Sequence, residues 1–377
     1  MKIKKLISKV NQNINKKNII LFNSFPIYSD NAKALYEYII SNRPDISANY
    51  KLIWAVDNNN DAIPDNIKTV KKKSVKGVSL FLKAKYIIST HNYFDSIYSG
   101  KEQKQINLWH GCGFKSIPKE DRAYRGDETI VTSEIYRQIH SEELSIPVDG
   151  VHVTGLPRND MLFEHKNVLV KLLGERANQF KKIYIWMPTY RKASMRHEMT
   201  DGRIDSFGVG AITSEQFTLL NDVLKSQKAL LIIKPHPMDT LSIERIKDFS
   251  NIVCVTNEIL KIKEIDLYNL LSETDVLLSD YSSVIIDYLL LDKPIVMVLS
   301  DKEEYKESRG FVFDPVEDYF PGPIISDLDE FLLYFKNPDS VESEWKEKRQ
   351  SLAKKFHKYI DGRSCERVCN LFWGDMK

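Results

Sequence analysis

The chain has 377 residues, 42% of them hydrophobic and 28% charged, with a formal net charge of +2. That length supports two domains of ordinary size, each with its own core. The near-neutral balance excludes a whole-protein electrostatic case for nucleic acid, and no apolar run approaches the roughly 18 residues needed to span a bilayer.

Charge is unevenly spread from the start. No Asp or Glu precedes Asp30, whereas Lys2, Lys4, Lys5, Lys9, Lys16 and Lys17 do. Ile3, Leu6, Ile7 and Val10 recur among the first of these lysines at helical spacing. Two readings stay open: a basic amphipathic segment lying on an anionic membrane surface, or a solvated terminus. The amino terminus lacks the apolar core and cleavage site of a signal peptide. Cys112, Cys254, Cys365 and Cys369 have no metal-ligand spacing and fit a reducing compartment. A cytoplasmic protein is expected, with Cys365 and Cys369 packing on one helix face.

Further along, short runs rich in Ile, Val and Leu alternate with amphipathic segments, the pattern of parallel sheets covered by helices. The predicted strands of the first half are 18–24, 51–56, 86–90, 105–109, 128–133 and 151–155. A second acid-free, Lys-rich stretch follows Asp65, with Val78, Leu80, Phe81 and Leu82 able to extend a basic apolar surface. The strands of the second half are 183–187, 229–234, 251–255, 275–279 and 294–299. This predicts an α/β protein of two doubly wound parallel-sheet domains, 1–165 and 166–345, with 346–377 as helices packing back on the first. A long irregular stretch at 188–210, rich in Arg and Gly, is either a surface loop or a binding loop.

In open parallel sheets ligands bind beyond the carboxyl ends of strands. There the sequence places His110-Gly111-Cys112-Gly113-Phe114-Lys115, Pro188-Thr189-Tyr190-Arg191, Pro235-His236-Pro237 and Asp280-Tyr281-Ser282-Ser283. Gly111 and Gly113 allow backbone to approach a ligand closely, and Arg191 suits bidentate phosphate recognition. Asp280 reads most economically as a helix N-cap, which puts Ser282 and Ser283 in the first turn. His110 as a buried structural histidine, and His236 as part of a Pro-fixed turn, are the bland alternatives.

Taken in order, these motifs resemble the CDP-glycerol glycerophosphotransferase family, the teichoic acid primases and polymerases. The resemblance runs through YSDNAKALYEYI, NLWHGCGFKSI, TGLPRNDML, WMPTYR, KPHP and SDYSSVIIDYLLLDKPIV to RGFVFDP and PGPI. It implies a GT-B type fold with a central cleft. It also implies transfer of a polyol phosphate, glycerol phosphate first, from a CDP donor to a hydroxyl of a lipid-linked cell-wall or capsule acceptor, releasing CMP. The catalytic residues it implies are His110, as base, and His236. Gly111, Lys115, Arg158, Asn159, Thr189 and Arg191 join Asp280, Tyr281, Ser282 and Ser283 as substrate-binding candidates. The family commonly reads WHGTPLK, so Cys112 and Gly113 stand here for a hydroxyl and a proline.

Imidazole suits proton acceptance from the acceptor alcohol near neutral pH. His236, Arg191 and the 280–283 turn would stabilise the diphosphate and the departing CMP. No cofactor is expected, and no carboxylate cluster marks a metal site. Asp327-Leu328-Asp329 reads as helix-start charge, and a metal requirement stays open. The partners implied are the CDP-polyol, a lipid-linked saccharide and an anionic membrane surface at the inner face of the cell membrane. Rival readings are a nucleotide-sugar glycosyltransferase of the same fold and a non-catalytic, membrane-associated assembly protein.

Overall fold

A computed structural model describes residues 2–57, 63–91, 97–117, 119, 122–188, 212–235, 249–299, 310–338 and 342–374. The chain forms two compact units. One comprises residues 1–112, 119–160 and 356–377, and the other residues 113–118 and 161–355.

The first unit is built on seven strands, all parallel: β1 (Lys17–Asn23), β2 (Lys51–Val56), β3 (Thr69–Lys71), β4 (Ala84–Ser89), β5 (Lys104–Asn107), β6 (Glu128–Val131) and β7 (Val151–Val153). Their order is β3-β2-β1-β4-β5-β6-β7, so the sheet reverses its winding between β1 and β4. The runs IILF and LIWAV are buried throughout, as strands covered on both faces must be. Ile20, Phe22 and Trp54 point to one face, where Phe22 stacks on Trp54 at 5.5 Å and the helix Asp30–Asn42 adds Leu35, Tyr36 and Ile39. Ile19, Leu21, Ile53 and Ile87 fill the other face against Phe81.

Residues 356–377 belong to this unit. In the helix Ser364–Trp373, Cys365, Val368, Cys369 and Trp373 are buried on one face, as the spacing of the two thiols predicts. Asp160 caps it, its carboxylate accepting from the backbone N–H of Ser364 and of Cys365 at 2.7 Å each. The pull of burial raises the Asp160 pKa against those hydrogen bonds.

Among its described residues the second unit has six parallel strands: β8 (Lys182–Met187), β9 (Ala229–Ile233), β10 (Ile252–Cys254), β11 (Val276–Ser279), β12 (Ile295–Val298) and β13 (Ile324–Ile325). Their order is β10-β9-β8-β11-β12-β13, with the reversal between β8 and β11. Trp186 and Tyr184 pack against Phe331 and Phe335 of the helix Leu328–Lys336, at 5.0 and 4.8 Å. A reciprocal cap between Thr213 and Gln216 starts the helix Ser214–Ser226, which buries Phe217, Leu220 and Leu224.

The units divide after Asp160 and after Lys355, about five residues before and ten residues after the divisions at 165 and 345 that the sequence suggests. Met161 and Glu164 bond to Asn269 of the second unit's helix Leu267–Ser272, which ties residues 161–165 to that unit. The helix Glu342–Phe356 runs unbroken through 345, so the later division falls at its end. Asp327 is the N-cap of the helix Leu328–Lys336, accepting from Glu330 N–H at 2.9 Å, the helix-start role its sequence indicates. Among the described residues no helix is long and apolar enough to cross a membrane.

Candidate active site

In the first unit the reversal point brings together the carboxyl ends of β1, β4 and β5. The ladder of β5 continues as far as Leu108, whose N–H donates to Ser89 O at 2.7 Å. It then stops because Trp109 turns left-handed, with φ +52°. The Asn107 side chain supports that turn, accepting from Trp109 N–H at 2.9 Å. A bulky residue at positive φ is strained by roughly 1–3 kcal/mol, and such strain persists only where neighbours hold it.

Those neighbours are Asp30, Asn31 and Arg158. Asn31 Nδ2 donates to the carbonyls of Leu108 and Trp109, at 3.3 and 3.1 Å, and its Oδ1 accepts from Arg158 N–H at 3.1 Å. Arg158 Nη1 reaches both Asp30 Oδ1, at 2.8 Å, and the His110 carbonyl, at 3.0 Å. This ion pair is nearly enclosed, with side-chain exposures of 7% and 13%. The segments YSDNAK and TGLPRND therefore clamp the backbone that carries His110. Arg158 and Asn159 are both buried, which places Arg158 behind the histidine's backbone. Gly111, at φ +133°, continues the turn in a conformation that side chains rarely adopt.

His110 is exposed as a residue, while its ring lies between those of His91 and Trp109. Its pKa is pushed well below the usual imidazole value, first by the protein crowded around it, then by His91, the Arg158 cation and His140. The Thr90 backbone alone works in the other direction. A general base must start unprotonated, and a neutral imidazole meets that condition. His91, which the sequence reading passes over, stacks on His110 with centroids 4.7 Å apart and planes 16° from parallel. Its signal was the one that selects His110, a histidine just past the carboxyl end of a strand.

In the second unit the reversal point gathers Met187-Pro188, Lys234-Pro235 and Ser279 to Ser283. Ser279 Oγ donates to Met187 O at 2.7 Å, and Lys234 N–H to Trp186 O at 2.9 Å. The helix after β11 begins at Val284 with Ser283 at its cap. Asp280 is thus no cap. It is buried, Tyr281 is buried with its ring 5.1 Å from Phe311, and only Ser282 and Ser283 remain partly exposed. The helix is five residues long, so its dipole is weak and the hydroxyls and local N–H groups are what the turn offers.

Residues 113–118 also belong here. Lys115 forms an isolated antiparallel bridge with Phe311, and a Cβ placed on Gly113 would lie 3.2 Å from Ser283 Cβ. The glycine that stands where the family commonly has proline is therefore the residue that touches the serine turn. Lys234, another residue given no role from sequence, is buried, with its ammonium donating to Pro235 O at 3.2 Å. Burial lowers its pKa to about 8. Thr189, Arg191 and His236, and most of the irregular stretch 188–210, lie outside the described residues. Among the described residues no group of three or more His, Cys, Asp or Glu side chains is arranged to hold a metal ion.

Two parallel-sheet α/β units, each gathering its polar residues at the carboxyl edge of its reversal point, define a protein of the GT-B-like class. Solved structures agree: the wall teichoic acid polymerase TagF superposes with a TM-score of 0.77 at 22% identity, covering 100% of this chain and 94% of that one. The Staphylococcus aureus MnaA–UDP complex gives 0.53 at 13% identity, over 94% and 95%. A family model described as CDP-Glycerol:Poly(glycerophosphate) glycerophosphotransferase matches residues 6–374, and the chain belongs to that family. The teichoic acid glycerol-phosphate transferase of Staphylococcus aureus is 27% identical over 98% of this chain and 95% of its own length. The teichoic acid poly(glycerol phosphate) polymerase of Staphylococcus epidermidis is 25% identical over 96% of this chain, which spans 51% of that protein.

Proposed function

We propose that the protein transfers glycerol phosphate from CDP-glycerol to a hydroxyl of a lipid-linked cell-wall polymer, with His110 as the base. In this reading neutral His110 takes the hydroxyl proton of the acceptor while the oxygen attacks the glycerol-bearing phosphorus. The bond from that phosphorus to the CMP oxygen breaks and CMP leaves with its electron pair. Lys234, Ser282 and Ser283 hold the donor phosphates, joined by His236 and Arg191. Asp30, Asn31 and Arg158 hold the base in place. The observation that carries the reading is an imidazole on a strained turn at the sheet's carboxyl edge, its backbone clamped by Asn31 and Arg158.

The test is a donor panel of CDP-glycerol, CDP-ribitol and UDP-N-acetylglucosamine, each with a lipid-linked acceptor, read by nucleotide release and product mass. CMP release from CDP-glycerol with a mass gain of one or more glycerol phosphates is expected. Release of UDP alone would overturn the reading.

The helix Lys2–Gln12 fits a peripheral membrane contact. Ile7 packs on the core and Asn11 Nδ2 donates to Gln103 Oε1 at 2.8 Å, while Leu6 and Val10 stay exposed beside Lys5 and Lys9. In the second Lys-rich stretch Leu80 and Leu82 pack inward, leaving Val75 as the exposed apolar residue. Flotation with anionic vesicles tests this: the intact chain should float, and loss of Leu6 and Val10 to Ser should reduce it. No flotation of the intact chain removes the contact.

A further inference from the structure

We propose that His91 is a positioning residue for the transfer, its ring lying flat on that of His110 and fixing the plane in which His110 receives the proton. The proposal rests on His110 being the base. Its geometry is independent of that role, because His91 stands at the reversal point between β1 and β4, on a strand end different from the one that carries His110.

Two contacts hold the His91 ring and one its backbone. Thr90 Oγ1 lies 3.1 Å from its Nδ1, and Phe25 meets it edge-on with centroids 5.7 Å apart. Asn23 Nδ2 donates to the His91 carbonyl at 3.3 Å, anchoring the backbone beneath it. His110 has Trp109 as a second ring neighbour, with centroids 4.1 Å apart and planes tilted by 37°. The base is thus steered by two rings, and its rotation about the Cβ–Cγ bond is restricted by the one that lies nearly parallel.

The stack also sets the charge the pair can carry. Two imidazoliums face to face repel, so a positive charge on one ring disfavours a second on the other. The charged and titratable groups around His91 are Asp30, which favours its protonation, and Lys72 and Arg125, which oppose it. Around His110 are His91, Arg158 and His140, all of which oppose it. Burial, Lys72 and Arg125 lower the proton affinity of His91 against the pull of Asp30. In this proposal the proton of the acceptor hydroxyl goes to His110, whose plane the neighbouring ring fixes.

The experiment compares His91→Ala, His91→Phe and His110→Ala in the full chain, with CDP-glycerol and a lipid-linked acceptor. It also follows the His110 imidazole by carbon-detected NMR titration. His91→Ala should lower kcat by about 10- to 10²-fold, the cost of a misplaced reacting group, with the KM for CDP-glycerol unchanged. The His110 titration should move upward as its stacked neighbour is lost, and His91→Phe, which keeps a flat ring, should recover most of the turnover. Wild-type kcat in His91→Ala with an unmoved His110 titration would overturn the proposal. So would equal loss in His91→Phe and His91→Ala, because that would make the nitrogen atoms of His91, and not its face, the working part. Near-normal turnover in His110→Ala would instead remove the base assignment, and the titration would still report whether the stack exists.

Discussion

The two sheet edges prepare different things from the same topology. At the edge of the first unit one imidazole is over-determined: a strained turn, a nearly enclosed ion pair, an asparagine bonded to two carbonyls and a stacked ring all bear on His110. At the edge of the second, the polar groups are small hydroxyls on a short helix start and a buried lysine whose ammonium donates to its neighbour's carbonyl. In the proposed reading the first edge aims a base and the second holds a charged ligand. A base has to meet a reacting atom within a few tenths of an ångström, whereas a phosphate can be held by several donors of looser geometry.

Removing Arg158 should break the first edge most severely. Arg158→Ala leaves Asp30 as an unpaired, nearly enclosed carboxylate, and the expected cost is about 3–5 kcal/mol in denaturant titration, together with loss of turnover. Arg158→Lys should recover little, because a single ammonium does not reproduce the reach of Nη1 to both Asp30 and the His110 carbonyl.

Acid should weaken the same edge through His140. Burial lowers its pKa to about 4, below its ordinary value near 6.5. The unfolded chain therefore binds more protons between those values. The stability from keeping His140 neutral is present above pH 6.5 and falls by roughly 3 kcal/mol as pH drops to 4. Unfolding midpoints measured across that window should fall, and His140→Gln should flatten the part of the slope that this residue contributes.

At the second edge the slope has the same sign but lies in a higher pH window. Lys234 is protonated below about pH 8 at the expense of stability, so stability should rise as pH climbs from about 8 toward 10.5. Lys234→Met should raise the melting temperature of the ligand-free protein at pH 7, by up to roughly 3 kcal/mol in stability, while weakening CDP-glycerol binding. Equal donor affinity in Lys234→Met would remove the lysine from the phosphate site. The smallest effect expected is from Gly113→Ala, whose methyl would press on Ser283 and cost about 1 kcal/mol, read as a small drop in melting temperature.

Much of this architecture could be read from sequence because the central strands are long apolar runs with few alternatives. All eleven predicted strands are present. The two that were not predicted, Thr69–Lys71 and Ile324–Ile325, are edge strands of three and two residues, too short for any periodicity. The strand-end rule singles out His110 and the serine turn, and the structure places both at carboxyl edges of their sheets. It did not reveal that Asp280 and Tyr281 turn inward, because a polar or aromatic residue beside a strand end looks the same in sequence whether it faces solvent or packs. Nor did it distinguish Arg158 as a clamp on the His110 backbone, since its partners Asp30 and His110 lie 128 and 48 residues away. The lysine at 234 was hidden by its position as the last residue of an apolar run, and its burial is a fact of tertiary structure alone.

The most direct test of the central assignment is single-turnover CMP release by His110→Ala beside calorimetric binding of CDP-glycerol. A fall in rate of about 10²- to 10⁴-fold, with the dissociation constant little changed, is predicted for loss of a general base. Near-normal release, or loss of donor binding in proportion to rate, would contradict it.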